Sequence, residues 1–310
     1  MKIVVFGAGG IGGCFGALLA RAGHEVTLVA RGAHLAAMQQ RGLRLRRADG
    51  EFVVDNVRAT PDLQDFEGTA DVVLNGVKLY DLAASAQQIR RVVGPDTMVV
   101  TTQNGVNAHE VLAEAGLPPE CIVPGAVFMS ARIGAPGVIE LRSESTRLTF
   151  GELGGERTPR VLRFHEAGLQ AGYESDLSTD MLRELWRKFV MLNAVAPLCV
   201  LSRQPVGVLR EDELLRKLMV DSMHEVIAVA RARGVELEPG FVDQALHLTD
   251  RRDYGAKVSL LEDLEAGRRL ELEWICGYVS REARRFGIAT PIADIAYACL
   301  RPAAQGTRSP

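Results

Sequence analysis

The sequence predicts an α/β fold: a doubly wound parallel sheet in the first half and an all-helical domain in the second. Three observations predict it. Short β-rich runs alternate with helical patterns early in the 310 residues, a glycine-rich turn follows the first run, and from about residue 178 the periodicity is almost purely helical. The change of pattern places two domains at 1–175 and 176–310. With 47% hydrophobic and 24% charged residues, a chain of this length builds its own core without a disulfide or metal staple. Five cysteines (Cys14, Cys121, Cys199, Cys276, Cys299) show no CxxC pattern and the six histidines no HExxH, so reduced thiols and no metal site are expected.

In chain order, residues 3–6 read as a buried strand, 11–22 as a helix, 26–30 as a second strand and 34–41 as a helix stopped by Gly42. Residues 43–46 and 52–54 flank Ala48-Asp49-Gly50 as a hairpin. Further buried strands are expected at 71–76 and 97–102, and strands at or beyond the far edge of the sheet at 121–129, 137–141 and 147–150. A helix at 159–171 closes this half. Ser178-Thr179-Asp180 then offers an N-cap for a helix with Leu182, Leu185, Trp186 and Phe189 on one face. Leu214, Leu218, Ser222, Val226 and Val229 mark the buried stripe of another, ended by Gly234. Helices follow at 240–249, 259–266, 270–286 and 292–300, and residues 302–310 read as a disordered tail.

Net charge of -3 gives no basic excess, which argues against nucleic acid as a partner. No apolar run approaches the roughly 18 residues of a membrane helix, and the opening strand runs into glycines where a signal peptide would stay apolar. A cytoplasmic protein with no membrane partner is therefore expected. Its oligomeric state is open, a homodimer included. Of the 36 basic residues five are lysines and 31 arginines, so a retained lysine is a candidate for proton transfer, which a guanidinium cannot perform.

Strand 3–6 runs directly into Gly7-Ala8-Gly9-Gly10-Ile11-Gly12, a GxGxxG opening a helix, the mark of a Rossmann-like dinucleotide site. Gly7 permits the turn, Gly9 lets the backbone approach a pyrophosphate, and Gly12 allows helix and strand to pack closely. At the end of the second strand stands Arg31 and no acid. A guanidinium there pairs with a ribose 2'-phosphate that a carboxylate would repel, which favours NADP(H) over NAD; a solvated surface arginine is the plainer alternative. Lys78 follows the strand 71–76 as a second phosphate cation, and Asn104 follows 97–102, where it reads as a ligand contact or simply as part of an Asn-Gly turn.

Taken together, GAGGIG, then Leu28-Val29-Ala30-Arg31-Gly32-Ala33-His34-Leu35, Val77-Lys78 with Tyr80-Asp81, Gln103-Asn104-Gly105-Val106, Leu185-Trp186-Arg187-Lys188, and the spaced set Ser259, Leu261, Asp263, Gly267, Arg268, Glu271 resemble the ketopantoate reductase (2-dehydropantoate 2-reductase) family. The resemblance implies a Rossmann domain and a helical domain with the active site in the cleft, and NADPH-dependent reduction of a small-molecule 2-oxo acid, ketopantoate foremost. It further implies Lys188 as general acid, Glu271 in contact with substrate or cofactor, Ser259 on the substrate carboxylate, and Asn104 touching both ligands. Arg31 and Lys78 would hold NADP, and Ala131 would line the nicotinamide side. The chemistry stands by itself: hydride addition to a ketone leaves an alkoxide, which a nearby ammonium stabilises and protonates. A lysine snorkelling from a helix flank is the alternative for Lys188. Ser259-Leu260-Leu261-Glu262 also has the form of a capping box.

The sequence departs from the family four and eight residues after the lysine, where many members carry Asn: here stand Leu192 and Ala196. Asn193 is displaced by one, about 140° from Lys188 on an ideal helix; it remains a candidate substrate contact if a helix irregularity brings it back. A pocket more apolar than that of ketopantoate reductases follows. A related reductase for another 2-oxo acid and a non-catalytic NADPH sensor are the competing readings.

Overall fold

Residues 1–306 are described in the computed structural model; 307–310, the end of the expected tail, lie outside the described residues. Two compact units divide the chain: Met1–Gln103 with Asn107–Glu184, and Asn104–Val106 with the chain from Leu185 on.

The first unit runs β1 (Lys2–Phe6), α1 (Gly10–Arg21), β2 (Glu25–Val29), α2 (Gly32–Arg41), β3 (Leu43–Arg47), β4 (Gly50–Val54), β5 (Val57–Thr60), β6 (Val72–Asn75), α3 (Leu79–Ile89), β7 (Met98–Thr101), α4 (Ala108–Glu114), β8 (Ile122–Val123), β9 (Gly125–Phe128), β10 (Ala131–Ala135), β11 (Val138–Leu141), β12 (Arg147–Phe150), α5 (Pro159–Gln170) and β13 (Glu174–Leu177). Its main sheet is parallel throughout, in the order β5-β2-β1-β6-β7-β8. The strands of such a sheet are covered on both faces and so read as unbroken apolar runs. Ile3, Val4, Val5, Val72, Val73 and Leu74 are fully buried. Counted within the sheet, the order is 3-2-1-4-5-6, and the chain reverses its direction of travel between β1 and β6. Ligands of open α/β sheets bind at that switch point, beyond the carboxyl ends of the strands. Phe6 is opposite Asn75 in register there, so the loops at Gly7 and Gly76 leave the sheet side by side.

One expectation for this unit needs correction, and two strands went unforeseen. The far-edge strands do not extend the main sheet beyond the two-residue β8: β10 and β11 join the hairpin β3-β4 in a sheet of order β10-β11-β3-β4, and β9 and β12 pair with β13 in another. The cause is long-range pairing, β11 running parallel to β3 and β12 parallel to β13. β5 and β13, each four residues long, carry too little alternation for the sequence to show them as strands.

The second unit is helical: α6 (Met181–Ser202), which starts in the first unit, then α7 (Val206–Glu211), α8 (Glu213–Ala232), α9 (Phe241–Asp250), α10 (Ser259–Glu265), α11 (Cys276–Phe286) and α12 (Pro291–Leu300). Asp180 caps α6, its Oδ1 accepting from the Arg183 N–H at 3.1 Å, and Asp212 caps α8 through Leu215 at 2.9 Å. α6 is long and apolar enough to cross a membrane, contrary to the reading that no run approaches that length; its most apolar window is 67% buried inside the protein, as in a core helix. On α8 the buried stripe is Met219, Met223, Val226 and Val229, while the expected members Leu214 and Leu218 are 75% and 39% exposed. The helix expected at 270–286 is broken: a 3-10 turn at Leu272–Trp274 precedes α11, and Ile275 between them has φ -108 and ψ -110. The tail also departs from expectation. Arg301–Ala303 forms a 3-10 turn, Ala304 is buried, and its carbonyl accepts from Leu270 N at 2.8 Å, so this segment braces the loop before Glu271.

Candidate active site

In the first unit the glycines form a cradle that side chains would fill. Gly7 has φ +95, which only glycine adopts without strain, and a Cβ there would lie 2.8 Å from Val77 N. A Cβ on Gly12 would strike the Gly7 carbonyl, and one on Gly10 the carbonyl of Ala131. Gly9 is different, since a Cβ there meets nothing within 4 Å and its face opens on space. Gly7, Ala8 and Gly9 line a cleft of about 390 Å³, while Gly10, Ile11 and Gly12 form the first turn of α1. That turn contains no acidic residue and no side-chain cap, and its first intrahelical bond is Gly13 N–H to the Gly9 carbonyl. The N–H groups of Gly10, Ile11 and Gly12 are therefore available to an anion, with the positive end of the helix dipole behind them.

Two cations flank the same cleft. Arg31 is the N-terminal flanking residue of α2, exposed and outside every ion pair of the described residues; Lys78 holds the corresponding place on α3. The carboxylate of Asp81, in the first turn of α3, also borders it. Ala131 begins β10 with its carbonyl over Gly10, and Ile133 of the same strand lines the cleft where Ala131 does not.

The end of β7 is fastened from below. Buried Gln103 donates through Nε2 to the carbonyls of Asn75 at 2.7 Å and Val77 at 3.0 Å, which leaves the next residue, Asn104, as the first of the segment that belongs to the helical unit. There Lys188 Nζ donates to Asn104 Oδ1 at 2.9 Å. Lys188 sits on α6 between buried Leu185, Trp186, Phe189 and Val190, and burial pulls its pKa down from 10.5 to about 8, opposed by the charge of Glu271. Glu271 is 6% exposed. It stands before the 3-10 turn and not on the helix expected for it, held by a loop that the Asp263–Arg268 ion pair closes at 2.7 Å. Trp186, Phe189 and Tyr278 pack edge-on or tilted, with centroids 5.7 to 6.2 Å apart.

The structure thus brings Lys188, Asn104 and Glu271 together, and separately the glycine loop with Arg31 and Lys78. Ser259 is the first residue of α10 and not its cap, which is Val258; the capping-box expectation fails because the helix starts one residue early. The Ser259 side chain is exposed. Asn193 is 2% exposed, and neither atom of its amide has a hydrogen-bond partner, so it is not bonded to Lys188. Pro197 lies four residues on and has no N–H, so the Asn193 carbonyl also lacks its helical donor. Leu192 is half-buried and Ala196 buried. Sequence reasoning missed Gly76, whose missing Cβ leaves room for the Gly7 carbonyl, and His34, which lines the cleft three residues after Arg31. Gly76 was legible as a glycine ending a strand; His34 carried no signal of its own.

The family model for ketopantoate reductase PanE/ApbA matches residues 3–155, and that for the C-terminal part of the same family matches 180–304. A 2-dehydropantoate 2-reductase from Mesorhizobium japonicum is 32% identical over 97% of each chain. The crystal structure of 2-dehydropantoate 2-reductase from Geobacter metallireducens superposes with a TM-score of 0.89 at 31% identity, over 98% of this chain and 100% of that one. D-mandelate dehydrogenase, solved with NADH and anilino(oxo)acetate, has a TM-score of 0.89 over 98% of each chain; at 23% identity this likeness is one of fold. The chain belongs to the ketopantoate reductase family, NADP-dependent oxidoreductases that act on a ketone or alcohol group.

Proposed function

We propose that this protein reduces a 2-oxo acid to the 2-hydroxy acid with NADPH, ketopantoate being the leading substrate, and that Lys188 supplies the proton. The observation that carries the reading is Lys188 itself, an ammonium with a pKa near 8, hydrogen-bonded to Asn104 and facing the charge of Glu271. A general acid works best when its pKa lies close to the working pH. The residues of the first unit fit the dinucleotide: the open face of Gly9 and the free N–H groups of α1 suit a pyrophosphate, and unpaired Arg31 with Lys78 suits the added 2'-phosphate. When bound, NADPH supplies the hydride.

Lys188 then has two tasks, holding its charge beside the ketone oxygen as negative charge develops there and giving up one proton to the resulting alkoxide. Asn104 Oδ1 accepts from the ammonium and so aims the remaining donors. The charge of Glu271 favours the protonated form of Lys188 by raising its pKa, and in this reading Glu271 and Asn104 also contact the ligands. The exposed hydroxyl of Ser259 is available to the substrate carboxylate.

A second reading concerns the substrate alone: Leu192 and Ala196, in place of the family's Asn residues, favour a more apolar 2-oxo acid. Initial rates with NADPH and with NADH, for ketopantoate beside a panel of bulkier 2-oxo acids, test both. Saturable turnover of ketopantoate with NADPH preferred is the expected result; preference for an aryl or branched 2-oxo acid selects the second reading, and no NADPH oxidation with any of them refutes the reductase.

A further inference from the structure

We propose that His34 is a positioning residue for the phosphate-binding loop, a neutral imidazole that turns the Ala8 carbonyl away from the cofactor and thereby turns the Gly9 N–H toward it. The inference rests on reading the glycine-lined cleft as the NADPH site.

The ring links segments far apart in sequence. Its Nδ1 lies 3.0 Å from the backbone N of Gly137, in the turn between β10 and β11, and its Nε2 lies 3.0 Å from the Ala8 carbonyl. A backbone N–H only donates, so Nδ1 is the acceptor and carries no proton. The neutral ring then has its single hydrogen on Nε2, which is the atom facing Ala8. The two bonds define one tautomer, and a doubly protonated ring would set an N–H against the Gly137 N–H. Burial lowers the basicity of the ring in the same sense, opposed by the bond to Ala8.

With both nitrogens committed, His34 has no polar atom left for the dinucleotide although it borders the cleft. Its effect passes through Ala8. The described chain has no cis peptide, and in a planar trans peptide the carbonyl and the following N–H point in opposite directions. Fixing the Ala8 carbonyl on His34 therefore fixes the direction of the Gly9 N–H. From the other side, the Ala8 N–H is held by the Val29 carbonyl at 2.9 Å, so this peptide pair is fastened at both ends. Gly137 is itself tied to β3, its carbonyl accepting from Arg44 N at 2.9 Å, which gives His34 a rigid support. A loop that is already oriented loses less conformational entropy when its ligand binds.

Three substitutions separate the two bonds. In His34→Gln the terminal amide nitrogen reaches the position of Nε2 and can donate to Ala8; in His34→Asn the shorter amide can accept from Gly137 but falls short of Ala8; His34→Ala makes neither bond. NADPH affinity is measured by fluorescence titration, with Tm and steady-state kinetics on the same preparations. The expected result is a Kd for NADPH raised about tenfold in His34→Ala and His34→Asn, and restored to within about threefold in His34→Gln; tenfold corresponds to about 1.4 kcal/mol, the size of one such bond. The loss should fall on KM for NADPH and not on kcat. An unchanged Kd in His34→Ala overturns the proposal. So does a His34→Gln variant as weak as His34→Ala, or a Kd that merely follows Tm through the series. Failure of the wild-type protein to bind NADPH defeats the reading of the cleft, a different result from equal binding by wild type and His34→Ala, which defeats the role of His34 alone.

Discussion

An arginine at position 188 would remain charged at any working pH, whereas the lysine found there has a pKa of about 8 and can both hold and release a proton. The ammonium is the competent form for reduction, and its fraction falls tenfold per pH unit above the pKa. Reduction measured as kcat/KM should therefore be flat below about pH 7 and decline through about pH 8. The reverse oxidation needs the neutral amine and should rise over the same interval. Because the charge of Glu271 raises the Lys188 pKa, Glu271→Gln should move the alkaline limb to lower pH. A limb in the same place in that variant would mean that Glu271 acts on something else. At this scale the sequence was informative about side chains whose chemistry is local: Arg31, Lys78 and Lys188 were legible from their place after a strand or beside a helix stripe. His34 was not, because its role depends on Gly137, 103 residues away.

The element that joins these side chains to the fold is the turn from β1 into α1, and its glycines divide into two kinds. A methyl group on Gly9 meets nothing in the protein, whereas one on Gly12 strikes the Gly7 carbonyl and approaches Val5 Cγ1 at 2.8 Å. Gly9→Ala should leave Tm nearly unchanged and weaken NADPH binding at least tenfold, by filling the space where the phosphates approach. Gly12→Ala should lose binding together with stability, by roughly 1–3 kcal/mol, as overpacking does. Thermal melts of the two variants with and without NADPH check this; equal Tm losses would show that both glycines serve only packing. The GxGxxG turn was legible because strand, glycines and helix are contiguous. The break before α11 was not. Gly277 permits close contact there with the Tyr297 ring and the Leu272 carbonyl, and such a contact gives no periodic signal. Likewise α10 starts at Ser259 and not after it, which removes a cap that the local pattern implied.

For the molecule as a whole, the proposed function divides the work between the two units. The residues that fit the dinucleotide belong to the first unit, and Lys188, Asn104 and Glu271 to the second. The change of periodicity near residue 178 lies close to the division between Glu184 and Leu185 but gave no sign that Asn104–Val106 goes with the second unit, and the two smaller sheets stayed hidden because their pairings join strands far apart in sequence. Nor did composition reveal that the last described residues support the Glu271 loop, a contact made by one backbone hydrogen bond from Leu270 to Ala304. If the proton comes from one unit and the cofactor is held by the other, removing the lysine must separate turnover from binding. The direct measurement is NADPH oxidation by Lys188→Ala beside wild type with the preferred 2-oxo acid, together with the Kd of each for NADPH. The account predicts a rate lower by on the order of 10²–10⁴-fold with Kd within about twofold of wild type. Equal turnover in the variant would contradict it.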